Sequence, residues 1–288
     1  MDEGSSLDDS QALPADDHVH SEWSWDAAAG AMEATCARAL EIGLPSLSFT
    51  EHADFTNWTY GVDADIPDHW SHHLDQGLLR PPRLDVDGYL ACLERCRERF
   101  PVLTIRSGVE LGEPHWHAGQ VEALLDSAPF DRVLASLHSA RIDGGGFGEV
   151  GSFFDARGTA GVIREYLLEV IELIEGFDRF TVLAHIDYPV RYWPEGVKPF
   201  AAKDFEDEYR GALRALAGRG KVLEVNTRVP LDRDIMAWWR QEGGTAISFA
   251  SDAHTPDALA AGLGEAAGWG RAAGFRPSSD PTDFWVRD

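Results

Sequence analysis

The sequence predicts a parallel α/β barrel in a single domain, and two observations predict it. Seven short runs of β-branched and apolar residues alternate with segments of helical periodicity along the 288 residues. Each run also ends in side chains that bind metals or protons. His18 and His20 end DDHVH, His52 ends LSFTEH, Glu110 ends LTIRSGVE and His138 ends RVLASLH. His185 and Asp187 end TVLAHID, Glu224 and Asn226 end KVLEVN, and Asp252 and His254 end AISFASDAH. A closed parallel sheet brings such ends to one face, where barrels of this class keep their chemistry.

The order of elements follows from the apolar spacing. Residues 1–15 (MDEGSSLDDSQALPA) read as a flexible acidic tail, 16–275 as the barrel domain and 276–288 as a C-terminal extension. Ala28, Met32, Cys36 and Leu40 at four-residue steps predict a helix over 27–43, stopped by Gly43. The stretch 53–84, rich in Asp, His, Trp and Pro, is too long for an ordinary connection and predicts an extended loop on the active face. Leu90, Leu93 and Phe100 predict a helix over 87–100, and a shorter one follows near 121–125. The Gly-rich segment 139–161 shows little periodicity and reads as a second, mobile loop. Val162, Ile163, Tyr166, Leu167, Val170, Ile171 and Ile174 make the clearest amphipathic helix. Phe205, Tyr209, Leu213 and Leu216 mark another, Ile235, Trp238 and Trp239 a short one, and 258–273 the closing helix.

Charge narrows the partners. Lys plus Arg number 25 against 49 Asp plus Glu, a net charge of −24 that repels long nucleic acid. A small anionic substrate remains compatible, because bound divalent cations would dominate the local field. Three cysteines (Cys36, Cys92, Cys96) without a CxxC read as buried structural thiols in a reducing compartment. The N-terminal residues lack a signal-peptide pattern, and no apolar run approaches the ~20 residues needed to span a bilayer. A soluble, cytoplasmic protein is the expectation; its oligomeric state is left open.

The chemistry comes from the strand ends. In a strand, residues i and i+2 point to one side, so His18 and His20 can grip one ion, as can Asp252 and His254. Asp26 can reach a neighbouring ion, with Glu22 as a rival. Together His18, His20, Asp26, His52, Glu110, His138, His185, Asp252 and His254 supply nine donors. A mononuclear site uses about four, so the set predicts two or three divalent transition-metal ions, with Mn, Fe and Zn all suiting mixed imidazole and carboxylate ligands. Glu110 is the natural bridge, and Glu110, Asp252 and His254 are the candidates placed closest to the reaction. Such a cluster binds a phosphate dianion and activates water.

DDHVHSEWSWDA, FTEHADF, SGVELG, LASLHSA, AHIDYP and FASDAH together resemble the PHP (polymerase and histidinol phosphatase) superfamily, most closely its monofunctional histidinol-phosphatase branch. The resemblance runs from about Asp17 to Ala260. It implies a distorted (β/α)7 barrel with a trinuclear centre. On that pattern His18, His20, Glu110 and Asp252 hold one metal, Glu110, His138 and His185 a second, and Asp26, His52 and His254 the third. The chain departs from the family start HSxxSDG at Ser24-Trp25-Asp26-Ala27, keeping the aspartate without the glycine, and carries Ala250 where a glycine is expected.

Other residues have plainer expectations. His69, His72 and His73 read as surface histidines, and His115 and His117 as loop residues. Asp187 is a candidate to orient His185. Trp23, Trp25, Trp58, Trp70, Trp116 and Trp193 cluster near the active face, where an aromatic wall suits a flat substrate ring. Arg191 and Arg228 are the candidate phosphate-binding arginines, ahead of Arg141. The leading activity is hydrolysis of a small phosphorylated metabolite, L-histidinol phosphate first, as in histidine biosynthesis. The rivals are a phosphodiesterase or nuclease acting on nucleotides, and a non-catalytic metal-binding regulator.

Overall fold

The computed structural model describes residues 12–60 and 66–288, so most of the expected N-terminal tail, 1–11, lies outside the described residues. β1 (Asp16–Val19) opens the barrel, α1 (Met32–Ile42) crosses over and β2 (Ser46–Ala53) returns parallel to β1. The first long connection contributes β3 (Trp58–Thr59), β4 (Leu74–Asp75) and β5 (Leu78–Leu79). Alternation resumes with α2 (Val86–Arg99), β6 (Thr104–Gly112), α3 (Ala118–Ser127) and β7 (Arg132–Ser136). The second connection supplies β8 (Ser139–Arg141) and β9 (Phe147–Glu149) before α4 (Phe154–Gly176) and β10 (Val182–Leu183). Then come α5 (Glu206–Gly218), β11 (Val222–Asn226), α6 (Arg233–Gln241), β12 (Ala246–Ala250) and α7 (Leu263–Ala272). β13 (Phe275–Pro277) and β14 (Trp285–Arg287) end the chain.

The expected parallel strands are present, in the order β1-β2-β6-β7-β10-β11-β12. The barrel they form is distorted at its seam. β1 and β12 meet at their C-terminal ends, where Val19 bridges Ala253 in parallel. His20 N donates to Ala253 O at 2.8 Å and Asp252 N to His18 O at 2.9 Å. The start of β12 pairs instead with antiparallel β14, Ile247 opposite Trp285. The seam therefore closes at the strand ends that carry His18, His20, Asp252 and His254.

Three expectations needed correction. The α1 helix begins at Met32, and its buried stripe is Met32, Thr35, Cys36 and Ala39, while Leu40 is 41% exposed. Four-residue steps advance about 40° beyond a full turn each time, so a long i, i+4 series drifts off the buried face. The two long connections are also not independent loops. They pair into a second sheet, β4-β5-β3-β9-β8, joined where Trp58 lies opposite Phe147. Strands of two or three residues carry no readable period, and this pairing is between segments far apart in sequence. Finally, α4 starts at Phe154 rather than 162; Gly158, at φ 69° and ψ 162°, breaks its first turns and hides them from a periodicity argument.

Candidate metal centre

The register of β2 on β6 sets the centre. His52 lies directly opposite Glu110, so parallel neighbours point both side chains to the same side of the sheet. The seam between β1 and β12 brings the His18–His20 pair beside the Asp252–His254 pair. All nine expected donors converge, and seven of them are at most 8% exposed; Asp26 and His254 are 17% and 18% exposed at the rim.

The distances have the character of a ligand set. His18 Nε2 and His20 Nε2 are 3.0 Å apart, and His138 Nε2 and His185 Nε2 are 3.3 Å apart. Two nitrogen donors on one tetrahedral or octahedral ion at ~2.0–2.1 Å would stand roughly 2.9–3.4 Å apart. Glu110 divides its oxygens. Oε1 lies 2.8 Å from His185 Nε2 and 3.2 Å from His138 Nε2, while Oε2 lies 3.2 Å from His18 Nε2 and 3.1 Å from His52 Nδ1. Asp26 Oδ2 lies 3.1 Å from His254 Nε2 and 3.4 Å from His52 Nε2. Buried Glu110 Oε2 and Asp26 Oδ1 have no hydrogen-bond partner. Buried polar atoms left bare in this number are costly unless a cation meets them. Four overlapping donor groups in the centre can hold a metal ion: His18–His20–Asp252, His20–His52–His254, Glu110–His138–His185 and His52–Asp54–His138. The residues present fit metal ions.

Supporting residues choose which ring nitrogen faces the centre. Glu224 Oε2 accepts from His18 Nδ1 at 2.8 Å, and Glu224 Oε1 accepts from His185 N at 3.0 Å. Ser24 donates its hydroxyl to Glu51 Oε2 at 2.6 Å, so its oxygen accepts from His20 Nδ1 at 2.9 Å. His254 Nδ1 donates to Asp252 O at 2.9 Å. In each ring Nδ1 is occupied and Nε2 is presented inward. Glu113, held at φ 45°, accepts from His138 N at 2.7 Å and Ser139 N at 2.9 Å, which pins the end of β7. Asp252 also sits in the left-handed region, at φ 54°. A non-glycine residue there is strained and needs surrounding contacts to hold it.

Burial disfavours charge on these groups, and their neighbours decide the outcome. Burial opposes the charge of His18, yet Glu224, Glu110 and Asp252 raise its pKa well above the usual imidazole value. Burial, reinforced by His52 and His254, lowers that of His20, and burial outweighs the Glu110 bond to bring His185 down to about 4. Against burial, surrounding histidines hold the carboxyls of Glu110 and Asp26 well below the usual range. Arg191, then His18, do the same for Asp252. The carboxylates are therefore ionised, as metal ligands must be.

Several candidates found other partners. Glu22 Oε2 accepts from Met32 N at 2.5 Å and caps α1, which leaves Asp26 as the residue that reaches the centre. Asp187 does not orient His185, whose Nδ1 is without a partner; burial pushes the Asp187 carboxyl up to about 7. His115 donates to Glu169 at 2.8 Å, His117 meets Thr56 Oγ1 at 2.8 Å, and His69 donates to the carbonyl of Asp26 at 3.0 Å. Arg191 bonds Asp252, and Arg228 lies 3.5 Å from Asp252 and 3.2 Å from His254 Nδ1, so both line the pocket over the centre. Arg141 stacks on Trp116 instead and lines a different cavity. Sequence reasoning missed Asp54, Glu51 and Glu113. Asp54 was within reach of the i, i+2 rule, two residues beyond His52; Glu51 and Glu113 act through long-range contacts that no local spacing announces.

The PHP domain family model matches residues 16–228. The chain is similar to the histidinol-phosphatase of Lactococcus lactis subsp. lactis (strain IL1403), at 28% identity over 255 residues, covering 83% of each chain. It is 27% identical over 265 residues to a probable histidinol-phosphatase of Deinococcus radiodurans, covering 84% of this chain and 86% of that one. Among solved structures, the histidinol phosphate phosphatase of the same Lactococcus lactis, complexed with zinc, L-histidinol and phosphate, superposes with a TM-score of 0.77. That match has 26% identity and covers 92% of this chain and 95% of the other. A putative histidinol phosphatase of Listeria monocytogenes, at 16% identity and a TM-score of 0.67, shares the fold.

Proposed function

The chain belongs to the PHP domain family, and on that premise we propose that it is a metal-dependent phosphatase hydrolysing L-histidinol phosphate to L-histidinol and phosphate, a step of histidine biosynthesis. One observation carries the reading: a complete His/carboxylate donor set in a fold that matches, over 92% of the chain, a phosphatase complexed with zinc, L-histidinol and phosphate. The proposed ligands are His18, His20, Glu110 and Asp252 for one ion, Glu110, His138 and His185 for a second, and Asp26, His52 and His254 for a third. Zinc, manganese and iron all suit this set. Three buried, unpaired thiols fit a cytoplasmic setting.

Bound there, divalent ions supply Lewis-acid polarisation of phosphoryl oxygens and activation of water. The protein's own part is to hold charge and shape. Glu110 presents one oxygen to each side of the centre, and Glu224, Ser24 and the Asp252 carbonyl keep three imidazoles in the ligating tautomer. Arg191 and Arg228 offer guanidinium donors to phosphate oxygens over the same pocket. Hydrolysis adds water across the P–O ester bond: phosphorus keeps the water oxygen, and the alcohol leaves with a proton.

Phosphate release from L-histidinol phosphate, other monoesters and diesters, measured with metal content, tests the reading. L-histidinol phosphate should be turned over best. Preference for diesters would replace this reading with the nucleotide phosphodiesterase, and metal-loaded protein releasing no phosphate from any ester would leave the metal-binding regulator.

A further inference from the structure

The loop that leaves β12 carries two candidate donors, Asp252 and His254, and both of its ends rest on one carboxylate. Asp16, the first residue of β1, is fully buried. At the start of the loop its Oδ1 accepts from Ser251 N at 2.9 Å and its Oδ2 from Ser251 Oγ at 2.5 Å. The same Oδ2 accepts from Ala260 N at 3.0 Å, where the loop ends ahead of α7. A bulge in β1 aims this side chain. Asp16 lies opposite Leu47 and Val19 opposite Phe49, so β1 carries one residue more than β2 between those pairs. Asp16 therefore meets Ser251 and Ala260, while His18 and His20 further along the strand face the centre.

The loop needs such a hold because its backbone is strained. Asp252, at φ 54°, directly follows Ser251, and Ala260 itself stands at φ 58°. Non-glycine residues in that region persist only where surrounding contacts fix them. The seam hydrogen bonds tie Asp252 and Ala253 to β1, and Asp16 adds both ends of the loop to the same strand. Arg191 holds the Asp252 carboxylate but not the backbone that carries it. We propose that Asp16 is a positioning residue of the metal centre: by holding Ser251 and Ala260 together it fixes the loop in the conformation that delivers Asp252 and His254, and so sets the affinity for the ions those two residues bind. This rests on the ligand assignment proposed above, in which the ion held by Glu110, His138 and His185 uses no residue of the loop. Loss of Asp16 should then be felt on one flank of the centre and not on the other.

Zinc binding by the full chain, titrated against a competing chelator, tests this in wild type, Asp16→Asn, Ser251→Ala and Asp17→Asn, with bound equivalents and thermal midpoints determined for each. Asp16→Asn keeps the side-chain shape and turns one accepting oxygen into a donor that faces another donor. It should weaken the loop-dependent zinc about 10- to 100-fold, the usual cost of losing a partner behind a ligand, while one equivalent stays as tightly bound as in wild type. Raising the zinc concentration should restore phosphate release. Ser251→Ala removes the hydroxyl donor alone and should act in the same direction to a smaller degree, which decides the matter should Asp16→Asn fail to fold. Asp17→Asn is the control for burial. Asp17, 2% exposed on the same strand, accepts from Ser48 Oγ at 2.7 Å and Arg132 Nε at 3.3 Å, so its loss should lower the midpoint and leave zinc affinity unchanged. Wild-type zinc affinity in Asp16→Asn (or in Ser251→Ala, if the first does not fold), equal weakening of every equivalent, or the same loss in Asp17→Asn would overturn the inference. Selective weakening of zinc in a protein that releases no phosphate from any ester would uphold it and remove the phosphatase reading instead.

Discussion

His18 Nδ1 donates to Glu224 Oε2 at 2.8 Å, and that contact decides which nitrogen His18 presents to its neighbours. The same carboxylate accepts from His185 N at 3.0 Å and Asn226 Nδ2 at 2.9 Å, so one buried side chain from β11 braces the two segments that carry His18 and His185. Glu224→Gln turns one accepting oxygen into a donating amide that cannot face all three donors. Metal affinity should fall about 10- to 100-fold, the usual cost of losing a carboxylate behind a ligating histidine. Titration with a competing chelator measures it; unchanged affinity would make Glu224 a packing residue.

Chelation should abolish phosphate release, and zinc, manganese or iron should restore some of it. The purified protein should carry more than one metal equivalent per chain. Because the ions bind the folded state, their removal should also lower the thermal midpoint, and the midpoint should rise again with added metal. Full activity in metal-free protein would refute the metal centre.

Glu110→Gln should reduce kcat by on the order of 10²-fold or more, since it weakens a side chain whose two oxygens face different histidines. His115→Ala should act differently. It breaks the bond to Glu169 beside the second connection, so it should cost about 1–2 kcal/mol of stability with little effect on turnover. Kinetics and thermal melts of the two variants together separate the roles.

Arg191→Ala and Arg228→Ala should each lower kcat/KM for a phosphomonoester by roughly 10- to 100-fold, mainly through KM. Arg191 should cost more, because its side chain is 13% exposed and also holds Asp252, whereas that of Arg228 is 48% exposed. Lysine at either position should rescue in part, keeping charge and losing the planar fork. Unchanged kinetics in both alanine variants would leave the metals alone to hold the phosphate.

Burial raises the pKa of the Glu149 carboxyl on β9, against bonds from Tyr192, the Gly151 amide and Tyr188. A raised folded value means that the folded state holds the proton more tightly than the unfolded one. The associated stability is complete below the ordinary glutamate range and is lost as pH rises through the folded value. Glu149→Gln should therefore melt progressively higher than wild type as pH rises above about 4.5. A difference independent of pH would mean that Glu149 ionises as freely folded as unfolded.

The positions of the candidate donors were legible because they obey local rules. His18 with His20, and Asp252 with His254, follow the two-residue period of a strand, and every run that carries a candidate donor ends at the face that a parallel barrel shares. The second sheet was not legible. Trp58 pairs with Phe147 across 89 positions, and strands that short carry no pattern of their own. The same holds for the supporting carboxylates: Glu51 reaches Ser24 and Glu113 reaches His138 through contacts that depend on where whole elements dock.

The sequence by itself determined the strand-and-helix alternation, the nine donors and the family resemblance, because residue type and short-range period are enough to state them. Only the tertiary structure decided how those donors are used. The β2–β6 register sets Glu110 beside His52, the seam hydrogen bonds bring the two i, i+2 pairs together, and Glu224 and Ser24 select the imidazole tautomers. It also set Asp16 across both ends of the loop that carries Asp252 and His254. Those choices depend on distances between residues far apart in the chain, which strand pairing and side-chain packing create and no local pattern records.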